Sequence, residues 1–210
     1  MEKLKLNLLK PLKVKCTDTD CKKDLHCFKA TTEMKKRDEV GVCRECGVNL
    51  VDWHRLHSRD LHDVEYTFDT LKHELIRHHF WHVEIDQRAL NYAKRKGRTA
   101  LRVAVRSRIK SSIAAPNNAY DGRQTPMEGS GNPIHYAQHA TASCCRKCVE
   151  YWHNIPVSVT LSTEEIEYLT NLAMMFLKER LPDLQDGGQH VPSVHRFERI
   201  RGNGQDDRHG

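Results

Sequence analysis

Apolar residues recur at helical spacing in several stretches of this chain. Within 63–82, Val64, Phe68, Leu71 and Leu75 fall on one face with Ile76 and Phe80 beside them, which predicts one continuous helix. Asp86 is placed to cap a second helix that runs through Arg95 and ends at Gly97. From Thr99 to Ile113 two periods compete. Leu101, Val105, Ile109 and Ile113 form a helical row, whereas Leu101, Val103 and Val105 alternate with Arg102, Ala104 and Arg106 as in a strand. The longer row is the more regular, and it predicts helix. Ser162 and Glu165 form a capping box for a last helix to Leu181, with Ile166, Leu169, Ala173, Phe176 and Leu177 inward and Pro182 as its stop.

Two regions lack this periodicity. Residues 16–52 carry Leu25, Phe28, Ala30 and Val40, enough apolar surface for a short hairpin, between Cys16-x4-Cys21 and Cys43-x2-Cys46-Gly47. Two such pairs describe a zinc ribbon held by Cys16, Cys21, Cys43 and Cys46, with His26 and Cys27 as spare donors able to replace Cys21. Residues 114–133 are dense in Asn, Gly and Pro and read as a linker or loop, although 121–127, DGRQTPM, is particular for a spacer. The expected fold is mainly α with a small N-terminal β zinc ribbon, arranged as two small metal-clipped modules (α+β). Its parts would be a basic start over 1–15, the ribbon over 16–52, a helical basic segment over 53–113, the linker, a Cys/His module over 134–182, and a disordered polar tail over 183–210.

Composition sharpens this picture. Hydrophobic residues make up 38% of the 210 and mean hydropathy is −0.71, lean for a core of this length, and metal clips are one way to hold such a chain together. No apolar run exceeds the six residues 172–177, so no membrane span is expected. The Lys- and Leu-rich start has no continuous apolar stretch and does not read as a secretory signal. Eight cysteines in close spacings without such a signal point to reduced thiols in a cytoplasmic protein.

The densest candidate chemistry lies at 139–153. His139, Cys144, Cys145, Cys148 and His153 offer five donors for the four places of a second zinc site. Cys145 and Cys148 make the CxxC pair, and spacing alone leaves the remaining ligands open. His78 and His82, four apart, would share a helix face, but a bare pair is weak evidence for metal.

Charge is concentrated in one segment. Arg88, Lys94, Arg95, Lys96, Arg98, Arg102, Arg106, Arg108 and Lys110 stand against the single acid Asp86, a local +8. The chain's total is +6, so everything else is slightly acidic. A basic stripe of this kind is the footprint expected for a phosphate backbone.

Two groups of motifs carry a resemblance. At DGRQTPMEG, AQHATASCCRKC and YWHNIP, followed by the capped helix, residues 117–181 resemble a family of short bacterial proteins of unassigned function. Residues 14–98, through CTDTDCKKDLHCF, CRECG, LVDW, YTFDTLKHELIRHHFWH and NYAKRKG, are similar to an uncharacterised bacterial zinc-ribbon protein type. The resemblance implies a bacterial or phage origin and that Asp121, Gln124, His139, Cys144, Cys145, Cys148, Trp152 and His153 belong together. It brings no reaction. From the residues, the leading expectation is a protein with two zinc ions that binds nucleic acid through the 88–110 segment without sequence specificity. The alternatives are a metal-dependent hydrolase or nuclease using the His139/Cys145/Cys148/His153 site, with His139 or His153 as base or ligand and Asp121 as carboxylate around an open metal position, and an adaptor whose zinc modules present a protein-binding face.

Overall fold

The computed structural model describes residues 14–116, 124–126 and 129–192. Eight helices run through them: α1 Thr32–Lys36, α2 Trp53–His57, α3 Val64–Leu71, α4 Leu75–His82, α5 Gln87–Ile113, α6 Pro133–Ala140, α7 Arg146–His153 and α8 Thr163–Arg180. Mainly α is therefore right. The β ribbon is not: among the described residues extended pairing is limited to the bridges Asp20↔Leu25 and His26↔Glu74. The segment between the Cys pairs spends its apolar residues on the helical body instead. Phe28 is buried edge-on against Trp152 at 6.0 Å, and Cys27 is fully buried.

Helix α8 is the axis of the fold. The expected box caps it, with Ser162 Oγ accepting from Glu165 N–H at 3.1 Å and Glu165 Oε2 from Ser162 N–H at 2.9 Å. Ile166, Tyr168, Leu169, Leu172, Ala173, Phe176 and Leu177 are all buried, which puts apolar surface on more than one side. A helix with so broad an apolar surface needs partners around it, and α3, α5 and α6 supply them. Helix α4 packs on α6, and α2 on α7. One hydrophobic cluster runs from Phe28 to Leu177. The halves expected as separate modules share that core.

Two breaks shape the bundle. The helix expected over 63–82 stops at Leu71 and restarts at Leu75, because the intervening turn pairs with the incoming chain: His26 N–H donates to His73 O at 2.7 Å and Leu75 N–H to His26 O at 3.0 Å. Helix α5 is capped by Asp86 Oδ1, which accepts from Ala89 N–H at 2.9 Å, and its apolar row Leu101, Val105, Ile109 and Ile113 is fully buried. It kinks at Gly97, where φ is 69° and ψ 169°. Residues 184–189, expected within a disordered tail, seal that kink. Arg98 N–H donates to Gln185 O at 2.7 Å, Thr99 N–H to Asp186 O at 3.1 Å, and Gln189 N–H to Lys94 O at 2.8 Å. Backbone groups that the kink frees from the helix are thereby satisfied. The rest of the expected tail, 193–210, lies outside the described residues.

Candidate metal centres

The first centre arises from a chain reversal and a knuckle. Asp20 and Leu25 exchange backbone hydrogen bonds across a turn in which Asp24 takes φ 59°. Further on, Gly47 at φ 74° lets its N–H return to Cys43 O at 2.9 Å. The donor atoms of Cys21, His26, Cys43 and Cys46 all come within 4.8 Å of one another. Cys21 Sγ stands 3.8 Å from Cys43 Sγ, and Cys46 Sγ 3.5 Å from His26 Nδ1. On the far side of the ring, His26 Nε2 meets Asp24 Oδ1 at 3.0 Å. A carboxylate there accepts a hydrogen bond from Nε2–H and leaves the Nδ1 lone pair facing the thiols, the arrangement that orients metal-binding imidazoles. Burial works against ionising Cys43, but hydrogen bonds from the backbone of Cys46, Cys27 and Glu45 prevail and bring it down to about 6. Burial and the adjacent thiols of Cys46 and Cys43 push Cys21 up to about 12.

The second centre is set by the turn between α6 and α7. Ser143 N–H returns to Gln138 O at 2.8 Å, Gln138 Nε2 holds Ser143 O at 3.0 Å, and Ala142 takes φ 53°. The chain then presents Cys144 and Cys145, with Cys145 capping α7 and Cys148 one turn inside it. The three sulfurs also lie within 4.8 Å of one another. Arg77 reaches them from α4, its guanidinium 3.4 Å from Cys148 Sγ and 3.9 Å from Cys144 Sγ, while it also donates to His139 O at 2.7 Å. Buried Glu74 holds the other side of Arg77 at 2.9 Å and accepts from Trp152 Nε1 at 2.7 Å and Tyr151 Oη at 3.2 Å. Hydrogen bonds from Cys144 and Cys145 hold the Cys148 thiol well below its ordinary value against burial, with Arg77 adding to the effect. Both clusters can hold a metal ion.

Several expected ligands are elsewhere. Cys16 is not among the donors of the first centre; His26 stands in its place. His139 stacks on Phe80 at 4.4 Å and turns Nε2 to Pro126 O at 3.0 Å, while His153 turns Nε2 to Thr141 O at 3.1 Å. Burial brings His139 down to about 4 and His153 to about 3, so both rings are neutral near pH 7. His78 and His82 stack on each other at 4.0 Å, with His82 Nδ1 on His78 O at 2.8 Å. Gln124 offers its backbone carbonyl to Arg108 at 2.6 Å, and Asp121 lies outside the described residues.

Residues 65–178 match the family described as a domain of unknown function (DUF4186). The chain belongs to this family. The match takes in α4, α6 and α7, hence Arg77, Glu74 and the Cys144–Cys148 cluster, and leaves the Cys21–Cys46 centre outside it. No solved structure matches the chain.

The basic segment is partly neutralised from within. Arg102 bonds to Glu167 and, at 2.6 Å, to Asn171 Oδ1; Arg106 lies 3.6 Å from Glu167, and Arg98 3.4 Å from Asp186. Burial lowers Arg108, which spends its guanidinium on Gln124 O and Gln138. Lys96 lies 5.2 Å over the Tyr92 ring. Arg88, Lys94, Arg95 and Lys110 are exposed and make no ion pair among the described residues. Arg77 and Glu74 escaped the sequence reading altogether. Nothing local in LKHELIRHHF marks an arginine that will meet cysteines some 70 positions later.

Proposed function

We propose that this is a zinc protein in which closed, cysteine-rich centres hold the fold and the protein works by binding, not catalysis. The observation that carries the reading is the first centre: three thiols and an imidazole converge on one point, with a carboxylate behind the imidazole. Tetrahedral sulfur–nitrogen sets are the preference of zinc, and sets of four protein ligands are structural. Hydrolysis has less support, because among the described residues neither cluster includes a carboxylate donor, and neither includes His139 or His153. Metal counting on the whole chain tests the reading. Two zinc equivalents are expected, and Cys43→Ser should lose one of them. A folded chain that takes up no zinc would refute it.

We further propose nucleic acid as the ligand class, contacted through the exposed cations of α5 that make no ion pair among the described residues, Arg88, Lys94, Arg95 and Lys110. Arg98, Arg102 and Arg106 serve the fold through Asp186 and Glu167. Replacing the exposed four by Ala should weaken binding alike for every sequence and flatten its salt dependence by about 0.9 per lost phosphate contact on duplex DNA. An unchanged slope would make this segment a solvated face and favour a protein partner.

One observation favours a different chemistry at the second centre. Cys145 and Cys148 occupy the N-terminal turn of α7 with a guanidinium against Cys148, an environment that also suits a reactive dithiol. Metal and disulfide exclude one another on these sulfurs, so thiol counting on the freshly isolated, metal-assayed protein separates the two.

A further inference from the structure

A cavity of about 580 Å³ lies where the stretch around Phe28, α1 and α2 meet α7, and none of its wall residues belongs to either cysteine cluster. Sites for small molecules and cofactors occupy about 300–1,000 Å³. One side of the wall is aromatic, made by buried Phe28 and half-buried Trp53 and Tyr151. The other carries Lys29, Lys35 and Lys147, all exposed, with Glu150 as the one acid that lines the cavity. We propose that this cavity binds a nucleotide unit, its planar base laid against Trp53 and Tyr151 and its phosphate among the three lysines.

The aromatic side is fixed in place. Trp53 Nε1 donates to Gly41 O at 2.8 Å, and the indole is backed by Trp152 at 5.4 Å and Phe28 at 6.1 Å. Gly41 lets the chain lie that close, since a Cβ there would stand 2.4 Å from Trp53 Nε1. A ring already held in this way costs a ligand little ordering. Charge then decides what the rings receive. Aromatic walls also suit cations, but three lysines against one glutamate repel a cation, and Glu150 spends Oε1 on Val157 N–H at 3.1 Å. An anion with a flat aromatic part meets both sides at once. A base stacks on an indole through its π-face, and a phosphate accepts charge-assisted hydrogen bonds from ammonium groups. Two loose ends of the wall fit the same occupant. His57 Nε2 is buried with no hydrogen-bond partner among the described residues, a group that a base edge can satisfy. Val40 lines the cavity yet is 62% exposed, apolar surface that a base would cover. The proposal rests on this cavity and not on the cations of α5.

The test titrates the full chain with adenosine monophosphate, read by tryptophan fluorescence and by calorimetry. One saturable site is expected, with quenching that Trp53→Leu abolishes. That substitution should weaken binding by about 5–150-fold, the worth of one base–aromatic stack. Replacing Lys29, Lys35 and Lys147 by Ala should weaken it by up to about 5-fold per lysine and leave neutral adenosine unchanged. These lysines are exposed, so the triple variant decides even where Trp53→Leu fails to fold. A short single-stranded oligonucleotide that displaces the mononucleotide at lower concentration would make a strand the source of the unit; displacement only by free nucleotides would make it a free one. No saturable binding of either would overturn the proposal. So would adenosine binding as tightly as its monophosphate, inorganic phosphate competing as well as the nucleotide, or affinity unchanged in both variants. The variant without Arg88, Lys94, Arg95 and Lys110 should bind the mononucleotide as the parent does, so failure here and failure of the α5 reading are told apart.

Discussion

Arg77→Met is the substitution that asks most of this structure. The methionine keeps most of the volume and removes the charge, so the loss is electrostatic and hydrogen-bonding rather than a cavity. Arg77 is fully buried and donates to Glu74 at 2.9 Å and His139 O at 2.7 Å, besides its approach to two cysteine sulfurs. Breaking a buried ion pair on one side costs about 3–5 kcal/mol, since the partner charge stays behind without compensation. Burial already pushes the Glu74 carboxyl up against the pull of Arg77 and Trp152, so without Arg77 it takes up a proton more readily, and that protonation limits the cost. An orphaned His139 carbonyl adds about 1–3 kcal/mol if no water reaches it. The expectation is a destabilisation of at least about 3 kcal/mol, read from urea unfolding at fixed free zinc, because bound metal shifts apparent stability. The double substitution Glu74→Gln with Arg77→Met should recover part of it. The amide removes the stranded charge while keeping an acceptor for Trp152 or Tyr151, and the cycle's coupling should fall near the top of the roughly 0.5–3 kcal/mol range for contacting residues. The second metal equivalent should bind about 10–100-fold more weakly in Arg77→Met, with the first unaffected. A single mutant within about 1 kcal/mol of the parent, holding both metals as tightly, would show that this arginine neither anchors the core nor supports the thiolates.

The Gly97 kink and the buried histidines give two further expectations. In Gly97→Ala the new Cβ would sit 2.3 Å from the Gly187 carbonyl carbon on a backbone of φ 69°. A loss of at least about 1–3 kcal/mol is expected, with faster amide exchange at Arg98, Thr99 and Gln189 as residues 184–189 lift away; unchanged exchange at all three would refute it. His153, at about 3 in the fold and about 6.5 when unfolded, is protonated first in the unfolded chain as pH falls. Its contribution to stability is complete above about pH 6.5 and is lost toward pH 3 at up to about 1.4 kcal/mol per pH unit. His153→Gln, whose amide can still donate to Thr141 O, should flatten the acid side of the urea-midpoint profile by that slope; parallel profiles would mean that His153 titrates normally.

What the sequence determined by itself is what depends on near neighbours. The Ser162–Glu165 box, the Asp86 cap, the break at Gly97 and the buried row Leu101, Val105, Ile109 and Ile113 are each set within a turn or two of helix, so periodicity and capping chemistry suffice to read them. The CxxC pairs were legible for the same reason, since two residues of spacing place both sulfurs on one turn. The ligand set was not. Cys16 stood in the expected set, with His26 only a spare for Cys21, and the reversal pairing Asp20 with Leu25 put His26 in the place of Cys16 by carrying it to Cys43 and Cys46. His139 and His153 lie outside the second cluster and turn Nε2 to backbone carbonyls, and the charge beside its sulfurs came from α4. The basic row was read correctly as a row, but Glu167 and Asp186, from other parts of the chain, pair with part of it. A partner from another element leaves no periodic trace in the stretch of residues it meets, so only the packed chain could choose it.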